Sequence, residues 1–206
     1  MKYLTLILIV FITITQILGC SNGHYIKSAA EGSTAKSSST VGASSELATI
    51  EEIPNDEYTI LIKLSDKGDY EESQGLWIKY PDGNEEKLVS YKQYEGTDKI
   101  TQGIKGIFNP QVSPDKSKIY FLTRTWVTSD AVHVVNIKTK EEKYICPGNS
   151  LEVIQSGSFK GKLIVNQHRY HKAGGSYDHY FLVDELGKEI KDLGEDFDEK
   201  VKEQLK

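Results

Sequence analysis

Cysteine is almost missing from this chain. Its 206 residues include two, Cys20 and Cys146, which excludes a framework of several disulfides. An excess of positive charge is missing too. Lys and Arg number 25 against 30 Asp and Glu, a net charge of −5. No basic stripe runs through the chain, so no nucleic-acid partner is expected, and the side chains alone do not recommend it to an anionic lipid surface. Catalytic signatures are also missing. There is no P-loop, dinucleotide fingerprint, HExxH or calcium-binding loop. Gly174-Gly175-Ser176-Tyr177-Asp178 ends in Asp where a nucleophile elbow needs Gly, and Gly148-Asn149-Ser150-Leu151-Glu152 fails in the same way. Asp66-Lys67-Gly68-Asp69 has acids in the wrong pattern for an EF-hand. The expectation is a protein that is not an enzyme, with no cofactor and no metal.

What is present begins at the N-terminus. Met1-Lys2 is followed by an apolar run from Leu4 to Phe11, a weaker one to Leu18, and then Ile17-Leu18-Gly19-Cys20. The apolar stretch falls short of the roughly 20 residues that cross a bilayer, and it leaves through a small residue. This segment resembles a bacterial lipoprotein signal peptide with its lipobox. The resemblance implies removal of residues 1–19 and diacylglycerol on the sulfur of Cys20. It places the protein on the cell membrane or outer membrane, anchored through that lipid, with the rest of the chain outside the cytoplasm. Lipoproteins kept at an inner membrane commonly carry Asp after the cysteine, so Ser21 points to the outer membrane in a cell with two membranes. Loss of Lys2 with the leader takes the net charge from −5 to −6. With Cys20 given to lipid, Cys146 has no intramolecular partner. It ends the apolar segment Tyr144-Ile145-Cys146-Pro147 and reads as a buried, inert thiol.

Residues 20–55 differ in composition from the remainder of the chain. Ser37-Ser38-Ser39-Thr40 and Ala43-Ser44-Ser45 lie among Gly, Ala and Lys. Few large apolar groups are present to offset the entropy of ordering, so the stretch reads as a flexible tether. Some thirty such residues span roughly 30 Å. The remaining stretch, 56–206, is long enough for one domain with a proper core.

That domain reads as all-β, in short strands separated by turns. Tyr58 to Leu64, Gly75 to Tyr80 and Lys87 to Tyr91 come first, the last two joined by the turn Pro81-Asp82-Gly83-Asn84. Lys118 to Thr125, Ala131 to Ile137, Glu142 to Cys146, Leu151 to Phe159, Lys162 to Gln167, His179 to Asp184 and Ile190 to Leu193 come after them. Tyr180-Phe181-Leu182-Val183 is apolar on both faces and belongs inside a covered sheet. Phe197, Val201 and Leu205 share one face of a short C-terminal helix, with acids at its start and lysines at its end.

The strand pattern repeats. Trp77 to Leu88, Val134 to Tyr144 and Phe181 to Ile190 align as strand, turn and charged return, about 45 to 55 residues apart. Asn109-Pro110-Gln111-Val112-Ser113-Pro114-Asp115-Lys116-Ser117-Lys118-Ile119-Tyr120-Phe121 is similar to the segment that opens blades in Tol-system and related bacterial β-propellers. Lys116 or Ser117 stands where those carry Gly. The resemblance implies a propeller-like or curved multi-sheet domain of about three blade-like units. Three units do not close a ring, since closed propellers have at least four blades.

The densest polar and aromatic cluster runs from Asn166 to Tyr180 and holds three of the five histidines. Strand alternation sends His168 and His171 to opposite faces, which speaks against a shared metal ion. The favoured candidates form a binding surface for a protein or envelope ligand: Trp126, Asp130, His168, Arg169, Tyr170, Tyr177 and Asp178. Arg and aromatic side chains dominate interface hot spots. Trp126 and Asp130 occupy the matching connection of the preceding unit, so stacked blades would bring the two loops to one edge. The plainer reading packs the aromatics between sheets and pairs Arg169 with an acid such as Asp178. Alternatives at the level of function are an inhibitor or immunity protein against a hydrolase or toxin, a metal-dependent hydrolase built on His168, His171, Asp178 and His179, and a structural lipoprotein that closes its ring with copies of itself.

Overall fold

A computed structural model describes residues 49–64, 74–93 and 103–205. The leader, Cys20 and the tether up to residue 48 lie outside the described residues. Twelve strands and one helix are seen in the described chain. Blade 1 comprises β1 (Thr49–Pro54), β2 (Thr59–Leu64), β3 (Gln74–Lys79) and β4 (Glu85–Val89). Blade 2 comprises β5 (Phe108–Val112), β6 (Lys118–Thr123), β7 (Ala131–Asn136) and β8 (Glu142–Pro147). Blade 3 comprises β9 (Ser150–Val153), β10 (Leu163–Tyr170), β11 (Ser176–Val183) and β12 (Glu189–Gly194). Each blade is an antiparallel meander with its strands in chain order. The domain is therefore all-β and built of three blade-like units with a short C-terminal helix.

Alternation along β6 explains how the blades stack. Ile119 and Phe121 pack with Ile60, Ile62, Leu76 and Ile78 of blade 1. Tyr120 and Leu122 pack with Leu163, Val165, Phe181 and Val183 of blade 3. Successive side chains leave a strand on opposite faces, so one apolar run feeds two cores. Each fully buried aliphatic or aromatic side chain contributes about 1.5–3 kcal/mol.

The outer face of blade 3 is covered differently. Ile164 and Leu182 pack with Leu205, and Phe197 stacks on Tyr180 with ring centroids 5.1 Å apart. The helix between, α1 (Glu199–Glu203), is capped by Asp198, whose Oδ1 accepts from the Val201 N–H at 3.0 Å. It is shorter than the Phe197–Leu205 periodicity predicts, and those two anchors flank it. The C-terminal segment thus occupies the face on which a fourth blade would lie.

β1 and β5 depart from the sequence expectation, and β9 stops at Val153 although the expected strand runs to Phe159. β1 lies inside the stretch 20–55 assigned to the tether, so the sheet starts at Thr49 rather than 56. Its side chains are almost all exposed, and only Ile53 joins a core, so its composition carries no strand signal. Its place comes from the antiparallel ladder to β2. β5 contains Asn109 and Pro110, ordinary turn residues, with Asn109 at φ 48 inside a bulge. Side chains replace the missing ladder. The Gln111 amide accepts from Val153 N–H at 2.8 Å and donates to Leu151 C=O at 2.6 Å, which joins β5 to the next blade.

The turn after β5 accounts for the propeller-like segment. Asp115 accepts from the Ser113 hydroxyl at 2.6 Å, the Ser117 hydroxyl at 2.7 Å and the Ser117 N–H at 3.2 Å. Lys116 has the left-handed backbone, φ 57, so it is the position where Gly would relax the turn.

Gly187 is fixed by a neighbour. It turns β11 into β12 at φ +79, and a Cβ there would sit 2.3 Å from the Ile145 carbonyl oxygen of blade 2. Gly83 has a similar φ, +87, but open space around it. Gly83→Ala is expected to cost about 1–2 kcal/mol, the left-handed penalty alone. Gly187→Ala is expected to cost more, about 3 kcal/mol, because the seam must also open. Urea denaturation of both variants checks this, and equal losses would refute the close approach.

Candidate functional site

Blades 2 and 3 meet at one end through three connections: the β6–β7 loop at 124–130, Gly148-Asn149 between β8 and β9, and the β10–β11 hairpin. Asn149 ties them. Its Oδ1 accepts from the Asp130 N–H at 3.1 Å, and its Nδ2 donates to the Thr128 carbonyl at 3.3 Å. Gly148 N–H donates to the Asp130 carbonyl at 2.9 Å. Across the seam the Thr128 and Tyr170 hydroxyls lie 3.5 Å apart. The hairpin closes with His171 N–H donating to the Gly175 carbonyl at 3.0 Å. The loops that carry the candidate residues therefore share one end of the domain.

The pleat of β10 and β11 then divides them. The two strands pair without a bulge, with Gln167 opposite His179, His168 opposite Asp178 and Arg169 opposite Tyr177. Leu163, Val165, Phe181 and Val183 face the seam with blade 2, so Gln167, Arg169, Tyr177 and His179 share that side. Ile164 and Leu182 face the C-terminal segment, so His168 and Asp178 share the outer side. There the His168 ring nitrogen Nδ1 lies 2.9 Å from Asp178 Oδ1, and the His168 ring meets Tyr170 edge-on at 5.0 Å.

Arg169 is held in place on the seam side. Its guanidinium lies 3.6 Å from the Phe181 ring centroid, donates twice to Gln167 Oε1 at 3.0 and 2.6 Å, and pairs with Glu189 at 2.8 Å. Its acid is thus Glu189 and not Asp178, because Asp178 projects from the other face. Tyr177 packs into the seam core, with the His171 and His179 rings 4.5 and 4.7 Å away. Asp130 is half-buried, and burial pushes its carboxyl up while Arg124 pulls it back. Asp130, His168, Arg169 and Tyr177 are each held by neighbouring groups, although Arg169 keeps 35% of its side chain exposed. The exposed apolar groups at this end are Trp126 and Tyr170, 38% and 69% exposed, and Val127, wholly exposed between Trp126 and Thr128, while the Asp178 carboxylate is exposed on the outer side. Sequence reading missed Val127; its only signal was an apolar residue in a loop otherwise rich in Thr and Ser.

The hydrolase constellation does not assemble. His168 and Asp178 are on the outer side, whereas His179 is on the seam side with His171 near Tyr177. Among the described residues no set of three His, Cys, Asp or Glu is arranged to hold a metal ion. Cys146 is buried, and burial pushes its thiol up to about 11, so it stays protonated and inert at neutral pH. Among the described residues no helix is long and apolar enough to cross a membrane.

His179 is bracketed by acids. Its Nδ1 lies 3.1 Å from Asp192 and its Nε2 3.6 Å from Glu195. The Asp192 hydrogen bond raises its pKa from the usual 6.5. A raised pKa in the folded state adds stability that is fully present below the unfolded pKa and is lost as pH rises through the folded one. His179→Gln is therefore expected to lower the denaturation midpoint in weakly acidic buffer and to change it little in alkaline buffer. A loss independent of pH would show that packing rather than charge is at stake.

A comparison with protein-family models finds no match, and no curated protein matches the chain. Among solved structures, the β-propeller domain of the Trilobed protease from Pyrococcus furiosus is similar at 15% identity and a TM-score of 0.46, over 71% of this chain and 42% of that one. Acylaminoacyl peptidase from Pyrococcus horikoshii is similar at 14% identity and a TM-score of 0.47, over 72% of this chain and 25% of that one. The chain thus spans less than half the length of either structure.

Proposed function

We propose that the chain is an envelope lipoprotein, anchored through lipid on Cys20, whose three-blade domain is a non-enzymatic binding module for a protein partner. The observation that carries the binding role is the rim at the loop end. Trp126 and Val127 on the β6–β7 loop and Tyr170 at the end of β10 are exposed at the same end, where Asn149 and the Thr128–Tyr170 contact hold the segments in register. Large apolar groups exposed side by side mark interaction surfaces, and burial of Trp and Tyr supplies much of the binding energy at interfaces. Arg169 stacked on Phe181 and Tyr177 between two histidines stiffen the hairpin beneath. A rigid scaffold lowers the entropy lost on docking. The lipobox supports the anchor, and the Ser-rich stretch after it, up to the strand at Thr49, supplies the reach.

The binding role is tested by capture. Full-length protein extracted in mild detergent is compared with a Trp126→Ser/Val127→Ser/Tyr170→Ser variant whose far-ultraviolet dichroism is unchanged. A partner retained by the wild type and weakened more than tenfold in the variant is expected, since a hot-spot residue is worth about 2 kcal/mol or more. Equal retention by both proteins would remove the rim as the site.

The anchor is tested separately. Cys20→Ala is expected to leave the protein uncleaved at the leader and without acyl mass on electrospray analysis. An acylated product from this variant would overturn the lipid assignment.

A further inference from the structure

The opposite end of the same seam is hollow. Between the turns of blades 2 and 3 lie two cavities, of about 280 and 370 Å³, with Lys118 and Glu185 lining both. Those two side chains form an ion pair and so make a partition between the cavities. The smaller cavity is bounded by Asp115, Lys118, Tyr120, Lys160 and Glu185, with Pro114 as an apolar wall.

The hydrogen-bonding capacity of these groups is unevenly used. Asp115 already accepts from three donors, the hydroxyls of Ser113 and Ser117 and the Ser117 N–H. Glu185 is engaged by Lys118. Tyr120 is only 2% exposed, and its hydroxyl meets no hydrogen-bonding partner among the described residues. Its ring packs in the seam core, and the residue also lines the smaller cavity beside Asp115, Lys118 and Glu185. Lys160 forms no ion pair with any described residue. Both carboxylates of the cavity are thus engaged, while the Tyr120 hydroxyl and the Lys160 ammonium have donors to spare. Such a surface is complementary to an acceptor, and a charged acceptor makes the stronger bonds. Two carboxylates in the wall disfavour a dianion such as phosphate. The volume limits the ligand to a group about the size of an amino acid or a single sugar.

We propose that this cavity binds the carboxylate of a small organic acid, free or carried on a peptide side chain, with the Tyr120 hydroxyl and Lys160 ammonium as donors and Glu185 as the competing acceptor on Lys118. The Lys118–Glu185 pair is partly exposed and weakly held, so a ligand can exchange with Glu185 at small cost. This site is at the far end of the seam from Trp126 and is independent of the rim.

Nuclear magnetic resonance on the full chain in detergent micelles tests it, with the Gly161 and Lys118 amides as reporters. The probes are acetate, N-acetylglutamate and a capped Ala-Glu-Ala peptide, with acetamide and inorganic phosphate as comparators. Saturable shifts with a dissociation constant of about 1 mM are expected for at least one carboxylate and not for acetamide. N-acetylglutamate saturating without the peptide identifies a free acid, and the peptide saturating identifies a protein-borne one; both support the site. Lys160→Gln is expected to weaken binding about tenfold, and Tyr120→Phe several-fold. Glu185→Gln is expected to tighten it, because Lys118 is released and a repelling charge removed. A misfolded variant cannot produce gains and losses of opposite sign at one site. Lys172→Gln, at the other end, is expected to change nothing. The proposal is overturned if no carboxylate saturates, if phosphate binds as tightly, if Lys172→Gln weakens binding as Lys160→Gln does, or if Glu185→Gln weakens it.

Discussion

Strand β6 cannot leave either face in water. Ile119 and Phe121 on one side and Tyr120 and Leu122 on the other are all buried, and each side feeds a different core. A strand of that kind is stable only between two neighbours, so blade 2 presupposes blades 1 and 3. The same constraint recurs on β11, where Phe181 and Val183 face the seam and Leu182 faces outward. On that outer face the cover is not another sheet but Phe197 and Leu205. A five-residue helix is too short to form alone. It exists because two flanking apolar residues are buried and Asp198 holds its first turn. Three blades thus reach a finished stack on this side, with the C-terminal segment as its cover.

Apolar burial presses the blades together but does not set their register; polar groups at the seam do that. Gln111 presents an amide to β9 as if it were a further strand, and Asn109 adds a bond to the same Leu151 carbonyl at 2.9 Å. Losing either partner would leave a backbone group unpaired beside the core, at about 1–3 kcal/mol. Asp115 does the equivalent work within its turn. Three hydrogen bonds from Ser113 and Ser117 hold its carboxyl down to about 2, so it stays ionised across the physiological range. Its contribution is present above the unfolded pKa and fades only in strong acid, as pH falls through the folded value. Exposed cross-blade pairs such as Lys116–Glu57 and Lys140–Glu86 add little to stability by comparison.

Much of this fold was legible in the sequence because blades announce themselves locally. Pro81-Asp82-Gly83-Asn84 reads as a turn from side-chain chemistry alone, and Phe181-Leu182-Val183 reads as doubly covered from its composition. β1 and β5 were illegible for opposite reasons. β1 is an exposed edge strand whose side chains have no buried pattern, and β5 is a bulged strand written in turn residues and held by two amide side chains. The site divided along similar lines. That the Trp126 and Tyr170 loops meet at one end follows once blades stack in chain order. Which candidates face outward did not follow from residue type. Arg169 and Tyr177 look like hot-spot residues, yet alternation from Val165 and Phe181 turns them toward the seam, where Glu189 and the histidine rings take them up. Choosing Asp178 as the partner of Arg169 required ignoring that alternation.

The seam between blades 2 and 3 therefore has two unlike ends, and strand geometry gives a reason. At the loop end the connections are long enough to carry side chains past the sheet edge, so Trp126, Val127 and Tyr170 project into solvent. At the turn end the connections are tight, and Gly187 lets one of them lie directly on the Ile145 backbone. Tight turns bring backbones together but leave the space beneath them unfilled by long side chains. That space is lined by the strand residues next to the turns, and on β6 those are Lys118 and Tyr120, both of which line the smaller cavity. A convex apolar rim is suited to another macromolecule, and a small polar hollow to a small group. Both are products of one seam whose middle is packed by Leu122, Val132, Val165 and Phe181. Because that middle is shared, loosening it at any one of these residues would disturb both ends together.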